Sequence, residues 1–354
     1  MTARRTVLIE YFTSPETTLV FGVRNDFEEP RMVKLDMPLD ETRRFVASTF
    51  ARGNMKNLDT DELQRRFGRL IEPILSWSQE GDILWVVPHD ALHYIPFHAL
   101  KVEGRYLIER NPVCFSPSSS IMKYCKNNRK GKLDTALILA DSRENLPLAG
   151  EEAWVVADLF NTTPYIGSGA TKSRLLELLQ NGREEFDVLH FACHGSFCFD
   201  QPLKSGIQLA PDNDNGRGIG SDADSTLTAE EIFKLSIPAD VVTLSCCESG
   251  VNANRPGDEL IGLTRALIHA GAASIVVSLW QVVDVSTRFL MERFYRELLG
   301  GRNKAEALQR AQLHVMNMRD PSIITSDDTA IESGNKYFDH PYYWAPFILV
   351  GDWN

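Results

Sequence analysis

Basic residues are in short supply in this chain. Lys and Arg number 37 against 48 Asp and Glu, a net charge of −11 over 354 residues. A protein that grips phosphate backbones needs the opposite field, so a direct nucleic-acid partner is not expected. Cysteine is sparse as well, with six in all, two of them adjacent, which is no disulfide framework. Free thiols in a reducing cytoplasm are the expectation. Long apolar runs are missing. The longest, residues 272–280, is nine residues with two serines, far short of the 18 or so of a membrane span. The opening Met-Thr-Ala-Arg-Arg leads into a stretch that Glu10 interrupts, unlike a secretory leader. There is no internal repeat and no low-complexity tract. No glycine-rich loop follows a strand in nucleotide-binding form. Gly216-Arg-Gly-Ile-Gly220 lies in an acidic loop, where flexibility is the simpler meaning and Arg217 a potential nick site. The spacing of Cys193, His194 and Cys198 matches no common zinc pattern. No cofactor and no metal are expected.

What is present is an ordinary globular composition, 43% hydrophobic and 24% charged, with length for two compact units. Residues 6–24 alternate around Thr13-Ser-Pro-Glu16 and predict a hairpin. Helical periodicity follows over 39–50, with Asp40 as cap, and over 59–78. A short apolar strand at 82–88 precedes a compact aromatic stretch, 90–100, and His89, His93 and His98, clustered around Pro88 and Pro96, suit loop packing. From about 133 the pattern changes. Buried strands at 135–140, 186–193, 240–245, 273–279 and 347–350 alternate with helices at 150–160, 172–179, 227–235, 258–270, 287–299 and 304–316. Fully apolar strands between helices predict an α/β class, a mainly parallel sheet flanked by helices on both faces, with an α+β part in front. Two polar stretches, 211–225 and 320–339, are long loops of the kind that is functional or mobile.

In an open parallel sheet, ligands sit beyond the carboxyl ends of the strands. The strand at 186–193 runs into His194-Gly195-Ser196, and the strand at 240–245 into Cys246-Cys247-Glu248-Ser249-Gly250. A His and a Cys on successive strand tips are neighbours about one strand spacing apart. The imidazole can generate a thiolate and then protonate a leaving amine. The backbone N–H of Gly195, with that of Cys247, forms a two-donor oxyanion hole. The weighing is close, since a strand-end cysteine more often packs than attacks. Alternation along an extended strand sends Cys246 and Cys247 to opposite faces, so only one can meet the His.

Leu189-His-Phe-Ala-Cys-His-Gly195 and Leu244-Ser-Cys-Cys-Glu-Ser-Gly250 together resemble the paired signature of the CHAT family, caspase-like cysteine peptidases related to separase, gingipains and legumain. The resemblance spans nearly the whole chain. It includes Val87-Pro-His-Asp-Ala-Leu-His-Tyr-Ile-Pro-Phe97, Tyr106-Leu-Ile-Glu109, the segment from Asp258 to Trp280, and His340-Pro-Tyr-Tyr-Trp-Ala-Pro-Phe347. It implies a caspase-like fold and a cysteine endopeptidase with His194 as general acid/base and Cys247 as nucleophile. Cys246 departs from the small residue usual at its position. His190 is implied to be structural, and residues 1–130 to be a pseudo-caspase part ahead of a catalytic part, 131–354. Relatives that cut after basic residues carry an acid in the specificity pocket. Asp284 is the first candidate here, followed by Asp258, Glu259 and Asp141. The acidic net charge favours basic substrates through steering, and serves solubility equally. Bacterial members commonly act as triggered effectors, which implies a protein substrate and a separate regulatory or sensor protein. The rival expectations are a catalytically silent protein-binding scaffold and a thiol redox sensor at the cysteine pair.

Overall fold

The computed structural model describes residues 5–49, 55–180, 185–196, 201–212, 225–245, 247–248, 258–319 and 337–354, and for residues 57, 247, 248, 258–261 and 284 only the backbone. Cys198, Arg217 and Cys246, and most of the two long polar stretches, lie outside the described residues.

One sheet of eleven strands organises the molecule. In chain order these are β1 Thr6–Thr13, β2 Thr18–Val23, β3 Arg31–Leu35, β4 Ile83–Val87, β5 Val113–Phe115, β6 Ala136–Ala140, β7 Tyr165–Ile166, β8 Val188–Ala192, β9 Val241–Leu244, β10 Ser274–Ser278 and β11 Phe347–Gly351. Across the sheet they run β3-β2-β1-β4-β5-β11-β10-β9-β8-β6-β7. β4, β6, β8, β9 and β11 are buried at every residue, as strands covered on both faces must be. β1 instead buries alternate residues and leaves Phe12 exposed on the other side.

Strand directions divide the sheet. β6, β8, β9 and β10 are mutually parallel. β11 is antiparallel to β10 and parallel to β5, and β5, β4 and β1 are parallel in turn. The two halves therefore point opposite ways, and β11 joins them. Helix Pro147–Leu159 packs on Asp284–Leu299, which packs on Lys304–Met316, whereas Asp258–Ala270 packs on the short helix Ala229–Ile232.

The hairpin, the first helix (Leu39–Thr49) and the later strands and helices stand where the sequence places them, except that the helix expected over 227–235 is only Ala229–Ile232, because Thr226–Thr228 is drawn into strand pairing with Gly206–Gln208. Asp40 lies inside the first turn rather than at the cap. The segment 59–78 is not one helix. Asp59 does cap it, accepting from the N–H groups of Asp61 and Glu62, but the chain breaks into Thr60–Phe67 and Glu72–Trp77 across a 3₁₀ turn at Gly68–Leu70. Pro73, at the start of the second piece, has no N–H to continue the first helix. Residues 90–100 form two 3₁₀ turns. Here His98 Nε2 meets the Ala345 carbonyl at 2.9 Å and His89 Nδ1 meets Thr13 Oγ1 at 2.6 Å.

Candidate active site

The carboxyl ends of β8 and β9 open on the same edge of the sheet. Beyond them a small second sheet begins, in the order Thr226–Thr228, Gly206–Gln208, His194–Ser196, Cys247–Glu248. Its last two strands are parallel, with His194 directly opposite Cys247 and Gly195 opposite Glu248. Adjacent strands lie about 4.8 Å apart, so the two residues singled out from the sequence are backbone neighbours. On its other side His194–Ser196 pairs antiparallel with Gly206–Gln208, His194 facing Gln208 and Gly195 facing Ile207. The histidine is thus fixed from both flanks.

The loop after β6 holds the ring. Asp141, at a left-handed φ of 43°, donates its N–H to the Ala192 carbonyl at 2.9 Å, tying the loop to the end of β8. Its carboxylate Oδ1 accepts the N–H groups of Asn145 (2.8 Å) and Leu146 (2.7 Å) and folds the loop over itself. Ser142 Oγ donates to the Gln208 carbonyl at 2.6 Å. Asn145 Oδ1 then meets His194 Nε2 at 2.8 Å. An amide oxygen only accepts, so this bond assigns the proton of a neutral imidazole to Nε2 and leaves Nδ1 with a lone pair. Nδ1 is buried and has no hydrogen-bond partner among the described residues. Asn145 has no signal in the sequence, because its role depends on a loop folding back by about fifty positions.

The four acidic candidates collect at this edge. Asp141 follows β6, Asp258 and Glu259 open the helix Asp258–Ala270, and Asp284 opens Asp284–Leu299 after β10. Asp141 already spends Oδ1 on two backbone amides. The described thiols elsewhere are buried: Cys114, Cys125 and Cys193. Burial pushes the Cys125 and Cys193 thiols up to about 12 and raises Cys114 also, so none is a thiolate at neutral pH. His190, on β8 four residues before His194, is fully buried.

The family model described as "CHAT domain" matches residues 60–352. The chain belongs to the CHAT domain family. The CHAT chain is also similar to Tetratricopeptide repeat protein 28 of Homo sapiens, 28% identical over 279 residues, which covers 72% of this chain and 10% of that protein. The Mus musculus protein of the same name is 26% identical over 396 residues, covering 91% and 15%. The CHAT chain thus corresponds to a small fraction of these relatives' length. Among solved structures, the Saccharomyces cerevisiae separase-securin complex matches with a TM-score of 0.60 at 10% identity, over 98% of this chain and 30% of that chain. The Arg-specific cysteine proteinase gingipain R matches with a TM-score of 0.49 at 11% identity, over 89% and 75%. The fold is caspase-like, as in the separase chain. No described helix is long and apolar enough to cross a membrane.

Proposed function

We propose that this CHAT domain is a cysteine endopeptidase acting through His194 and Cys247. The observation that carries the reading is the parallel pairing that sets Cys247 opposite a histidine whose Nε2 is anchored on Asn145. In the proposed reaction the Cys247 thiol gives its proton to His194 Nδ1, and the thiolate attacks the scissile carbonyl. The backbone N–H groups of Gly195 and Cys247 bind the oxyanion. The imidazolium then returns the proton to the departing amine, and water, deprotonated by the same ring, releases the acyl group and restores the thiol. Asp284, at the head of its helix on this edge, is the proposed pocket acid for a basic side chain, ahead of Asp258, Glu259 and Asp141. Residues 131–354 are the proposed catalytic part and 1–130 the non-catalytic part. A separate protein is proposed to control the site, as suits a triggered effector.

Labelling with an electrophilic peptide tests the reading. The wild type and Cys246→Ala are expected to take the label and Cys247→Ala to lose it, while Cys114, Cys125 and Cys193 stay unmodified in native protein. Label that persists in Cys247→Ala, or never forms, removes the dyad. A scaffold role is the second reading. It is favoured by two curated relatives that are named for a repeat and not for a hydrolase. It predicts binding without turnover, whereas redox sensing predicts reversible oxidant-dependent change without cleavage.

A further inference from the structure

Beneath the dyad lies a buried polar chain that the reaction does not use. Glu152, on Pro147–Leu159, is 3% exposed, and His190 on β8, Thr243 on β9 and Tyr295 on Asp284–Leu299 are fully buried. Glu152 Oε1 stands 2.9 Å from His190 Nε2, a close polar contact whose alignment is not that of a hydrogen bond. His190 Nδ1 meets the Tyr295 hydroxyl at 3.1 Å, and that hydroxyl meets Thr243 Oγ1 at 2.7 Å. Burial raises the Tyr295 phenol far above its ordinary range, so it keeps its proton and can both donate and accept. The Phe160 and Phe294 rings pack against it, with centroids 5.5 and 5.1 Å away.

The placement of this chain matches that of the dyad. His190 pairs with Thr243 across β8 and β9, and four residues further on in each chain segment, where the small second sheet begins, His194 pairs with Cys247. Glu152 rides on the helix that follows Asn145, and Tyr295 on the helix that Asp284 opens. A buried carboxyl and imidazole carry a desolvation cost that hydrophobic residues of similar volume would not. What they supply instead is register. A one-residue slip of β8 against β9 would carry His190 away from Thr243, so Tyr295 could keep at most one of its two hydroxyl bonds and a buried polar group would lose its partner.

We propose that Glu152, His190, Tyr295 and Thr243 are positioning residues that hold β8, β9 and their two helices in the one register where His194 meets Cys247. The proposal rests on the dyad reading, and two readouts separate the two. Tyr295→Phe keeps the ring and removes both hydroxyl bonds; Thr243→Val removes only the far one; Thr243→Ser restores it. The first readout is kcat and KM on a cleaved peptide. The second is the pH dependence of Cys247 alkylation by iodoacetamide, followed by mass spectrometry, which needs no peptidase activity. Tyr295→Phe and Thr243→Val are expected to lower kcat about tenfold at unchanged KM and to move the alkylation midpoint up toward that of an ordinary thiol. Thr243→Ser behaves as wild type. Should Tyr295→Phe fail to fold, Thr243→Val carries the same comparison. If kcat and the midpoint stay at wild-type values while the melting temperature falls, the chain is packing and the proposal is overturned, with the peptidase reading intact. If the wild type cleaves no peptide yet its midpoint still shifts in the variants, the peptidase reading falls and the positioning role stands.

Discussion

His194 is held at one ring nitrogen and offers the other. The Asn145 amide oxygen, 2.8 Å from Nε2, does for this imidazole what an orienting partner does for any catalytic histidine, fixing tautomer and direction together. Asn145→Ala leaves the ring able to turn and to carry its proton on either nitrogen. On the peptidase reading, kcat should fall by about 10- to 100-fold with KM little changed, as steady-state kinetics on a peptide substrate would show. Asn145→Asp places a full charge beside the ring and is expected to raise the pH at which activity appears, since the imidazolium gains a counter-charge.

Among the elements, the small sheet carries the histidine, and it depends on one glycine. Gly206 pairs with Ser196 on one side and Thr228 on the other, and a Cβ there would lie 2.2 Å from the Leu227 carbonyl oxygen. Gly206→Ala must push the strands apart, at a cost of about 1–3 kcal/mol. Urea unfolding should show that loss, and Cys247 labelling should slow with it. Gly169→Ala, where nothing stands within 4 Å of the added carbon, is the control, expected within about 0.5 kcal/mol of wild type. This same sheet marks the limit of what the sequence conveys. The strands β6, β8 and β9 are legible because each is a run of residues buried on both faces, and the capping box Thr228/Glu231 forms as its spacing predicts. His194 and Cys247 are legible because they stand on the tips of such strands. The pieces 206–208 and 226–228, and β5, are three residues each, too short to show any period, and exist through pairing alone. Asn145 is hidden for a related reason. Only the turn around Asp141 brings it to the ring.

For the whole molecule, the base of the half that bears His194 is pinned by buried charge. Lys304, 2% exposed, reaches Asp240 at 3.3 Å, Asp352 at 3.4 Å and the Asn354 carbonyl at 2.6 Å, joining the residue before β9, the helix Lys304–Met316 and the chain beyond β11. Arg129 adds a contact to Asp352 at 3.4 Å. Lys304→Met leaves two carboxylates buried together and is expected to cost about 3–5 kcal/mol. Burial already raises the Asp240 carboxyl with the lysine present. An acid whose folded pKa exceeds its unfolded one gives its stability below the unfolded value and loses it as pH rises through the folded value. Urea unfolding of Lys304→Met should therefore show a smaller deficit in mildly acidic buffer than in alkaline buffer.

β11 sits between β10 and β5, and both half-sheets lean on it. It is also the last strand of the module to be synthesised. On the ribosome, every other strand is complete while β10 and β5 still present open, apolar edges with no mate. The nascent chain must keep those two edges from pairing with each other or with a neighbour until Phe347–Gly351 emerges. The half that bears His194 and Cys247 is made before the strand that locks it to the half that does not, so a stalled or truncated product would expose an unsealed seam, a target for chaperones and for aggregation alike.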